Sequence, residues 1–308
     1  MNVFVMGGTG LIGTSLIGRL NERDDRVVLL TRRPAHAQER WGKQCTIVEG
    51  DPMKAGPWMD AVKDCDAVVN LVGESIFARR WNPEFIALLR SSRIQSTENA
   101  VRALNQNPKT SAGNPKVLVN ASAIGYYGPR GDEELTEEGL TGNDTLARVA
   151  VEWEQAARSA EASGVRVALI RIGVVLDKGG GALPQMLPPF KFGVGGPIGS
   201  GKHWFSWIHI DDMVGILLLA LDHPRAAGPI NGTAPHPVTN KEFSKALGRA
   251  LHRPAILPMP PFMLRLLLGQ VAEILTTGQR VIPAKALSLG YQFKFPNIEG
   301  ALANLLGT

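Results

Sequence analysis

Short apolar runs alternate with longer segments of helical periodicity along the first part of the chain. Each apolar run predicts a buried β-strand, and the runs lie at residues 3–5, 27–30, 46–48, 67–70, 117–121 and 167–172. Residues 85–104 and 146–162 carry apolar side chains at helical spacing, which predicts two long helices. Strands separated by helices indicate an α/β fold with a doubly wound parallel sheet, and such sheets bind ligands at the carboxyl ends of their strands.

The pattern changes after Gly173, where glycine and proline become frequent. The stretches 179–181, 184–197 and 193–201 predict loops that cover the top of the sheet. These loops are expected to close over whatever ligand the strand ends hold.

A second alternation follows these loops. Residues 207–210 predict a strand that leads into a helix reaching Leu221, with Asp211 and Asp212 capping its free backbone N–H groups. Residues 239–251 predict another helix, and a proline-rich linker beyond it leads to a short apolar helix and a tail.

Three regions are expected from this organisation. Residues 1–175 form the first domain, and part of 203–235 completes its sheet. Residues 176–253 supply the substrate-covering segments, and residues 254–308 form a small C-terminal helical subdomain.

Composition narrows the class of protein further. The 308 residues are 44% hydrophobic and 20% charged, which is ordinary for a globular protein, and the net charge of +5 is too mild and scattered to indicate nucleic-acid binding. Cys45 and Cys65 have no metal or redox spacing, and the histidines have no ligand spacing, so no metal is expected. No targeting segment is recognised, and the apolar stretch 262–268 is too short to span a bilayer. We expect a cytoplasmic protein without a membrane partner.

The first strand runs directly into Gly7-x-x-Gly10-x-x-Gly13 and then into an apolar helix. Glycines at this spacing let backbone N–H groups approach phosphate oxygens, and the helix start adds the positive end of its dipole. A purely structural turn is the alternative, but the position between strand and helix favours a dinucleotide cofactor.

The second strand indicates which dinucleotide. It ends in Thr31-Arg32-Arg33, about 20 residues beyond the glycines, where an acid would accept a hydrogen bond from a ribose 2′-hydroxyl and an arginine accommodates a 2′-phosphate. There is no acid here, which favours NADP over NAD. The alternative is a solvated basic loop.

Five segments together resemble the extended short-chain dehydrogenase/reductase superfamily, of the NAD-dependent epimerase/dehydratase type: the glycine motif and residues 70–75, 122–128, 171–176 and 207–212. Residues 73–75 with Arg80-Trp81, 195–201 and 278–283 resemble a narrower epimerase-family subgroup, often called YfcH-like. The resemblance covers essentially the whole chain. It implies a Rossmann-type domain carrying NADP, a smaller substrate-covering region, and a C-terminal domain of unknown function.

The resemblance also implies a cofactor site, residue by residue. The pyrophosphate would lie against Gly7, Gly10, Leu11, Ile12 and Gly13, and the 2′-phosphate against Thr31 and Arg32. Adenine would lie near Asp51, and the ribose near Leu71, Gly73 and Glu74. Plain core packing is the alternative for Leu71.

The proton-transfer residues of the superfamily are missing. Active members use a Tyr, a Lys four residues later that lowers the Tyr pKa, and a Ser or Thr hydroxyl. None of the three tyrosines has a Lys at that spacing, and aligning the helix on Trp153-Glu154 puts Leu146 at the Tyr position and Ala150 at the Lys position.

The neighbouring positions depart from the family pattern too. Ala123 stands at the usual Ser or Thr position, and Arg93 at what resembles the family's helix Asn position. Ser122 and Tyr127 are the candidates for a substitute, although a Tyr at a strand end is also typical of packing beside the cofactor.

Two further segments have structural interpretations. Residues 196–203 nearly spell a phosphate-binding loop, but His203 replaces the Ser or Thr that binds magnesium and no strand precedes them. His209 followed by Asp211 and Asp212 is interpreted as a strand end and a helix cap.

The sequence supports two functions. One is an NADP-dependent oxidoreductase or epimerase acting on an unidentified small molecule, for which a nucleotide sugar is one possibility. The other is a catalytically weak NADP-binding sensor or scaffold that keeps the cofactor site without the Tyr and Lys pair.

Overall fold

The computed structural model describes residues 1–307, and the side chains of all of these except 267 and 268. Its strands, in chain order, are β1 (Asn2–Met6), β2 (Arg26–Thr31), β3 (Thr46–Glu49), β4 (Ala67–Asn70), β5 (Val117–Ala123), β6 (Glu134–Leu135), β7 (Arg166–Ile172), β8 (Val174–Leu176), β9 (Trp204–Phe205), β10 (Trp207–His209), β11 (Gly228–Gly232), β12 (Val238–Thr239) and β13 (Arg280–Val281). Seven of them form one parallel sheet in the order β11-β7-β5-β4-β1-β2-β3. The expected Rossmann-type sheet is therefore confirmed.

The helices, in chain order, are α1 (Leu11–Glu22), α2 (Pro34–Trp41), α3 (Pro83–Gln106), α4 (Thr145–Arg158), α5 (Ala182–Lys191), α6 (Ile210–Asp222), α7 (Asn240–Ala250), α8 (Pro261–Leu268), α9 (Ala272–Thr276), α10 (Ala284–Ser288) and α11 (Ile298–Leu306). The helices α1 and α6 pack together on one face of the sheet, and α3 and α4 pack together on the other. None of the described helices is long and apolar enough to cross a membrane.

Side chains alternate between the two faces of β1, as strand geometry requires. Val3 and Val5 enter the core shared with α1 and α6, whereas Phe4 and Met6 enter the core shared with α3. All four are fully buried. A strand apolar on both faces belongs in the middle of a parallel sheet. The strand β1 lies there, between β4 and β2, and the strand order reverses between β1 and β4.

A third hydrophobic core, which includes residues of α5, α7 and α11, contradicts the expectation of a loop over 184–197. Residues 182–191 form α5 although Pro188 and Pro189 lie inside it. Leu183 and Phe190 are buried in a core built with α7 and α11, and this burial outweighs the backbone hydrogen bonds that the prolines cannot donate.

The expected cap of α6 is also wrong in detail. His209, and neither aspartate, caps the helix, because its Nδ1 accepts the N–H of Asp211 at 3.0 Å. Asp212 is fully buried and accepts the backbone N–H groups of Lys294 and Phe295 instead. The C-terminal tail is therefore anchored at the start of α6.

Candidate cofactor and active site

The site residues expected from the sequence lie along one edge of the sheet, where five neighbouring parallel strands end. In spatial order along that edge, they lie at the carboxyl ends of β3 (Asp51), β2 (Thr31 and Arg32), β1 (residues 7–13), β4 (residues 71–74) and β5 (Ser122). The structure thus brings residues that are distant in sequence into one row. The reversal of strand order between β1 and β4 creates a crevice in the middle of that row.

The turn after β1 is held by close backbone packing. Gly7 has φ +79°, and a Cβ there would lie 2.8 Å from the carbonyl carbon of Leu71. A Cβ at Gly13 would lie 2.6 Å from the Cα of Gly8, so both positions require glycine. Gly10 differs, since its φ of −78° suits any residue and the only neighbour of an added Cβ would be the Gly7 oxygen at 3.4 Å. The absence of a side chain at Gly10 leaves open space beside the turn.

The helix that follows begins with unused hydrogen-bond donors. No side chain caps α1, and no acidic residue lies in its first turn. The N–H groups of Leu11, Ile12 and Gly13 have no acceptor within the described chain. These donors lie at the positive end of the helix dipole, next to the open space beside Gly10. A diphosphate would be favoured in that space.

The loop after β2 presents one basic side chain. Thr31 is 7% exposed, and its hydroxyl oxygen accepts the N–H of Arg33 at 3.1 Å, which tightens the turn. Arg32 is exposed and forms no hydrogen bond or ion pair with any described residue. The Arg32 guanidinium is therefore available to bind an anion. The hydroxyl oxygen of Thr31, by contrast, already accepts a hydrogen bond within the loop. Beyond β3, the carboxylate of Asp51 accepts the N–H of Met53 at 3.0 Å.

The loop after β4 is held from below by Arg93 of α3. The N–H of Glu74 donates to the hydroxyl of Ser92 at 3.1 Å, and the carbonyl of Glu74 accepts from Arg93 at 3.0 Å. The Arg93 guanidinium also lies 5.2 Å from the ring centre of Trp153, and burial lowers its pKa to about 10 despite the charge of Glu74. An added Cβ at Gly73 would lie 3.2 Å from the Cζ of Arg93.

This function of Arg93 was missed in the sequence. The available signal is a charged residue between Ser92 and Ser96, which are both buried on α3. An arginine at that position needs acceptors within the fold.

A buried polar network fixes the ends of β4 and β5 relative to the helices. The amide of Asn70 donates to Asn120 at 2.8 Å and to Thr97 at 3.0 Å. The Thr97 hydroxyl also accepts the indole N–H of Trp153 at 2.9 Å. The strands β4 and β5 and the helices α3 and α4 each contribute one partner, so this network fixes the ends of β4 and β5, because the buried polar groups are satisfied in this arrangement.

A second buried network contains both candidate catalytic residues. The Ser122 hydroxyl donates to Glu154 at 2.8 Å, and Arg171 makes two charge-assisted bonds with the same carboxylate at 2.7 and 2.9 Å. Arg171 also donates to the Tyr127 oxygen at 2.9 Å, and the Tyr127 O–H donates to Asn231 at 2.7 Å. Burial acts to lower the pKa of Arg171, but the bonds with Glu154 outweigh it and raise that pKa overall.

This geometry argues against Tyr127 as an acid or base. The side chain is fully buried, and burial raises its pKa to about 12 even though Arg171 lies beside it. Ser122 is 2% exposed with its proton directed at Glu154, so neither hydroxyl faces open space in this conformation.

Leu146 and Ala150 occupy the positions that the sequence alignment assigned to the family's Tyr and Lys. A Cβ at Gly125, in the turn after β5, would lie 3.5 Å from the Cβ of Leu146, while Ala150 is 3% exposed. Neither side chain can exchange a proton. The end of β5 is therefore apolar where the superfamily has its acid.

Glycines of the covering segment lie directly on the start of α1. An added Cβ would lie 3.1 Å from the Leu11 side chain at Gly180, and 2.9 Å from it at Gly181. The Asp177 carboxylate holds this loop by accepting the N–H of Gly179 at 2.6 Å. The space beside Gly10 is thus partly enclosed.

The segment 196–203 is not a phosphate-binding loop. Two N–H groups in its middle are already used, since Ile198 donates to the Asn240 side chain at 2.7 Å and Gly199 donates to the Met259 carbonyl at 2.9 Å. The structural interpretation made from the sequence agrees with this geometry.

The fold and this edge define a dinucleotide-binding α/β protein of Rossmann type. More narrowly, the chain belongs to the NAD-dependent epimerase/dehydratase family, which matches residues 3–231, and residues 259–305 match a domain of unknown function, DUF1731. The resemblance to the short-chain dehydrogenase/reductase superfamily and to its epimerase-family subgroup is therefore confirmed.

Several known proteins are similar over the whole chain. A chloroplastic homologue of epimerase family protein SDR39U1 from Arabidopsis thaliana is 42% identical, covering 99% of this chain and 87% of the relative. The crystal structure of human SDR39U1 (isoform 2) with NADPH superimposes with a TM-score of 0.87 at 37% identity, covering 100% and 99% of the two chains. A nucleoside-diphosphate sugar epimerase from Corynebacterium glutamicum has a TM-score of 0.79 at 31% identity, covering 100% of this chain and 58% of the other. The expectation of NADP agrees with the NADPH bound in the human relative.

Proposed function

We propose that the protein binds NADP(H) along the edge formed by β3, β2, β1, β4 and β5 and acts on a small molecule as an oxidoreductase or epimerase of the extended short-chain dehydrogenase/reductase type. The observation that carries this proposal is the start of α1, where three unused N–H donors face open space beside Gly10. The NADPH in the human relative supports the choice of cofactor.

Each part of the edge has a proposed role. Gly7, Gly10 and the N–H groups of residues 11–13 hold the diphosphate, and Arg32, with Thr31 shaping its loop, holds the 2′-phosphate. Asp51 lies beside adenine, and residues 71, 73 and 74 line the ribose. The half-buried Arg93 places a positive charge below Gly73, where it offsets negative charge on the bound ligand.

Bound NADP(H) would supply hydride transfer, whereas the residues at the family's Tyr and Lys positions supply no acid at the end of β5. Leu146 and the buried Ala150 are apolar there, and the Ser122 hydroxyl donates its proton to Glu154. General acid catalysis is worth roughly a hundredfold to ten-thousandfold. We therefore expect slow or no turnover of ordinary nucleotide sugars. This substrate class is still included in the test, because one similar structure is that of a nucleoside-diphosphate sugar epimerase.

A second candidate function is an NADP-binding sensor or scaffold with little turnover. The apolar side chains at Leu146 and Ala150 favour it, because they remove proton transfer without disturbing the cofactor edge. The packing of Gly180 and Gly181 on Leu11 favours the enzyme instead, because a covering segment over the cofactor edge is what a water-excluding reaction site requires.

Two measurements on the purified protein separate these functions. Calorimetric titration with NADPH tests the site, and absorbance of NADPH during incubation with sugar nucleotides, aldehydes and ketones tests turnover. Binding together with oxidation of NADPH by one substrate class supports the enzyme. Binding without turnover of any class supports the sensor, and lack of NADPH binding contradicts both.

A further inference from the structure

Two segments beside the third core, residues 192–194 and 256–266, carry most of the large exposed apolar side chains among the described residues. Seven of the eleven large apolar side chains that are exposed among the described residues lie in them: Phe192, Val194, Ile256, Leu257, Phe262, Met263 and Leu266. Phe192 is 82% exposed, and Leu266 is 74% exposed. Scattered single apolar residues are normal on a protein surface, but a cluster of this kind marks an interaction site.

The two segments lie side by side. The N–H of Leu257 donates to the carbonyl of Gly195 at 3.4 Å, and the N–H of Met259 donates to that of Pro197 at 2.8 Å. The N–H of Gly199 donates back to Met259 at 2.9 Å. The exposed apolar side chains at 192–194 and 256–266 therefore lie on adjacent segments, which follow α5 and lead into α8.

The charges on these segments are mostly positive, and Glu242 is the one acidic residue of α7. Residues 178–210 and 243–272 contain seven lysines and arginines and no aspartate or glutamate: Lys178, Lys191, Lys202, Lys245, Arg249, Arg253 and Arg265. Such long stretches without an acid stand out in a chain with 28 acidic residues. The surface therefore favours an anionic partner.

The basic side chains border the apolar ones. Lys245, Arg249, His252, Arg253 and Ile256 line one open depression at the end of α7. Two exposed pairs reduce the local charge, Arg249 with Glu299 at 2.9 Å and Arg265 with Glu273 at 3.1 Å. Lys191, Lys245 and Arg253 are exposed and form no ion pair among the described residues. The remaining charge is positive.

We propose that this surface, formed by 191–194, the exposed face of α7 and residues 253–266, binds reversibly to an anionic lipid bilayer. Exposed Phe, Leu and Met side chains enter the boundary between headgroups and acyl chains, while lysines and arginines bind the anionic headgroups. This is surface attachment, so it is compatible with the absence of a spanning helix among the described residues. It departs from the sequence expectation of no membrane partner, which rested on the shortness of the apolar stretch.

A lipid surface fits better than the other anionic or apolar partners. A nucleic acid would use the basic residues, but it offers nothing to aliphatic side chains such as Ile256 and Leu266. A second copy of this chain would cover the apolar residues, yet it would bring two surfaces of the same positive charge together.

The test is cosedimentation of the full chain with vesicles of phosphatidylcholine alone and of phosphatidylcholine mixed with phosphatidylserine. Binding to the anionic vesicles only, weakened by salt, is expected. The double variant Phe262→Ser/Leu266→Ser should bind about tenfold or more weakly, because both side chains are exposed and contribute mainly at the bilayer. Leu140→Ser is the matched control, since Leu140 is 77% exposed outside this surface.

A charge-reversal pair separates the proposed surface from general electrostatics. Lys245→Glu/Arg253→Glu should abolish binding to the mixed vesicles, whereas Lys43→Glu/Lys109→Glu, with the same change in net charge elsewhere, should retain most of it. Equal loss in both variants, or no binding of the native chain to either vesicle, overturns the proposal. Light scattering that shows a dimer dissociated by Phe262→Ser/Leu266→Ser, without vesicle binding, assigns the surface to a second copy and also overturns it. Oligonucleotide binding that depends on Lys245 and occurs without vesicle binding has the same consequence.

Discussion

The Gly10→Val variant tests the cofactor site directly, because the structure separates its effect on binding from its effect on folding. The φ of −78° and ψ of 176° at Gly10 suit a β-branched residue, and an added Cβ would meet only the Gly7 oxygen at 3.4 Å. The fold should therefore tolerate valine, with a change in unfolding free energy of about 1 kcal/mol or less.

Cofactor binding should respond much more strongly. The valine side chain would occupy the space in front of the N–H groups of Leu11, Ile12 and Gly13. Loss of two charge-assisted hydrogen bonds, at about 1.5–3 kcal/mol each, amounts to about 3–6 kcal/mol. At about 1.4 kcal/mol per factor of ten, NADPH affinity should fall by roughly a hundredfold to ten-thousandfold.

Calorimetric titration with NADPH and thermal unfolding without it provide the two measurements. Gly18→Ala is the matched control in the same helix, since an added Cβ there meets nothing within 4 Å. It should leave the affinity unchanged and raise stability by about 0.5–1 kcal/mol. Gly13→Ala should destabilise the turn itself, because its Cβ would lie 2.6 Å from the Cα of Gly8. Native NADPH affinity in Gly10→Val would refute this placement of the diphosphate.

Three further predictions concern single residues. Arg32→Asp should reverse the preference for NADP over NAD, since the carboxylate repels a 2′-phosphate and accepts from a 2′-hydroxyl; equal affinity of the native protein for both cofactors, measured by calorimetry, would contradict this. Tyr127→Phe should lower the unfolding free energy by about 1–3 kcal/mol, because it leaves the buried Asn231 side-chain oxygen without its donor and removes one of the bonds of Arg171, with little effect on any turnover; a large fall in kcat at unchanged stability would make Tyr127 catalytic after all. Burial lowers the pKa of His209 below the value of 6.5 that an unfolded chain would have. As the pH falls, the imidazole is therefore protonated in the unfolded chain before it is protonated in the folded one. The contribution of His209 to stability is complete above pH 6.5 and should be lost as the pH falls below it. Chemical unfolding across that range should show the slope, and His209→Asn, which keeps a capping oxygen, should reduce it; an equal slope in both proteins would assign the effect to other groups.

Much of the candidate cofactor edge could be proposed from the sequence because its signals are local. A strand, a glycine turn and a helix are adjacent in sequence, and the row from Asp51 to Ser122 follows once the strands are parallel and in the usual order. The absence of a Tyr and Lys pair was equally visible, since it needs only spacing along one helix.

The buried networks could not be predicted in the same way. Glu154 lies on α4 and Arg171 on β7. The sequence pattern of neither element indicates that these two side chains form an ion pair. The role of Asp212 illustrates the same limit. Its carboxylate serves Lys294 and Phe295, about eighty residues further on, rather than the helix it begins.

The sequence by itself determined the sheet, the direction of its strands and the glycine turn, because side-chain alternation and backbone freedom act over a few residues. Tertiary structure alone decided three other features: the helix at 182–191 in spite of its prolines, the enclosure of Ser122 and Tyr127, and the meeting of 192–194 with 256–266 in one surface. Each of these depends on contacts between distant segments. Burial and hydrogen bonding of those segments outweigh local preference, and local preference is all that a single stretch of sequence expresses.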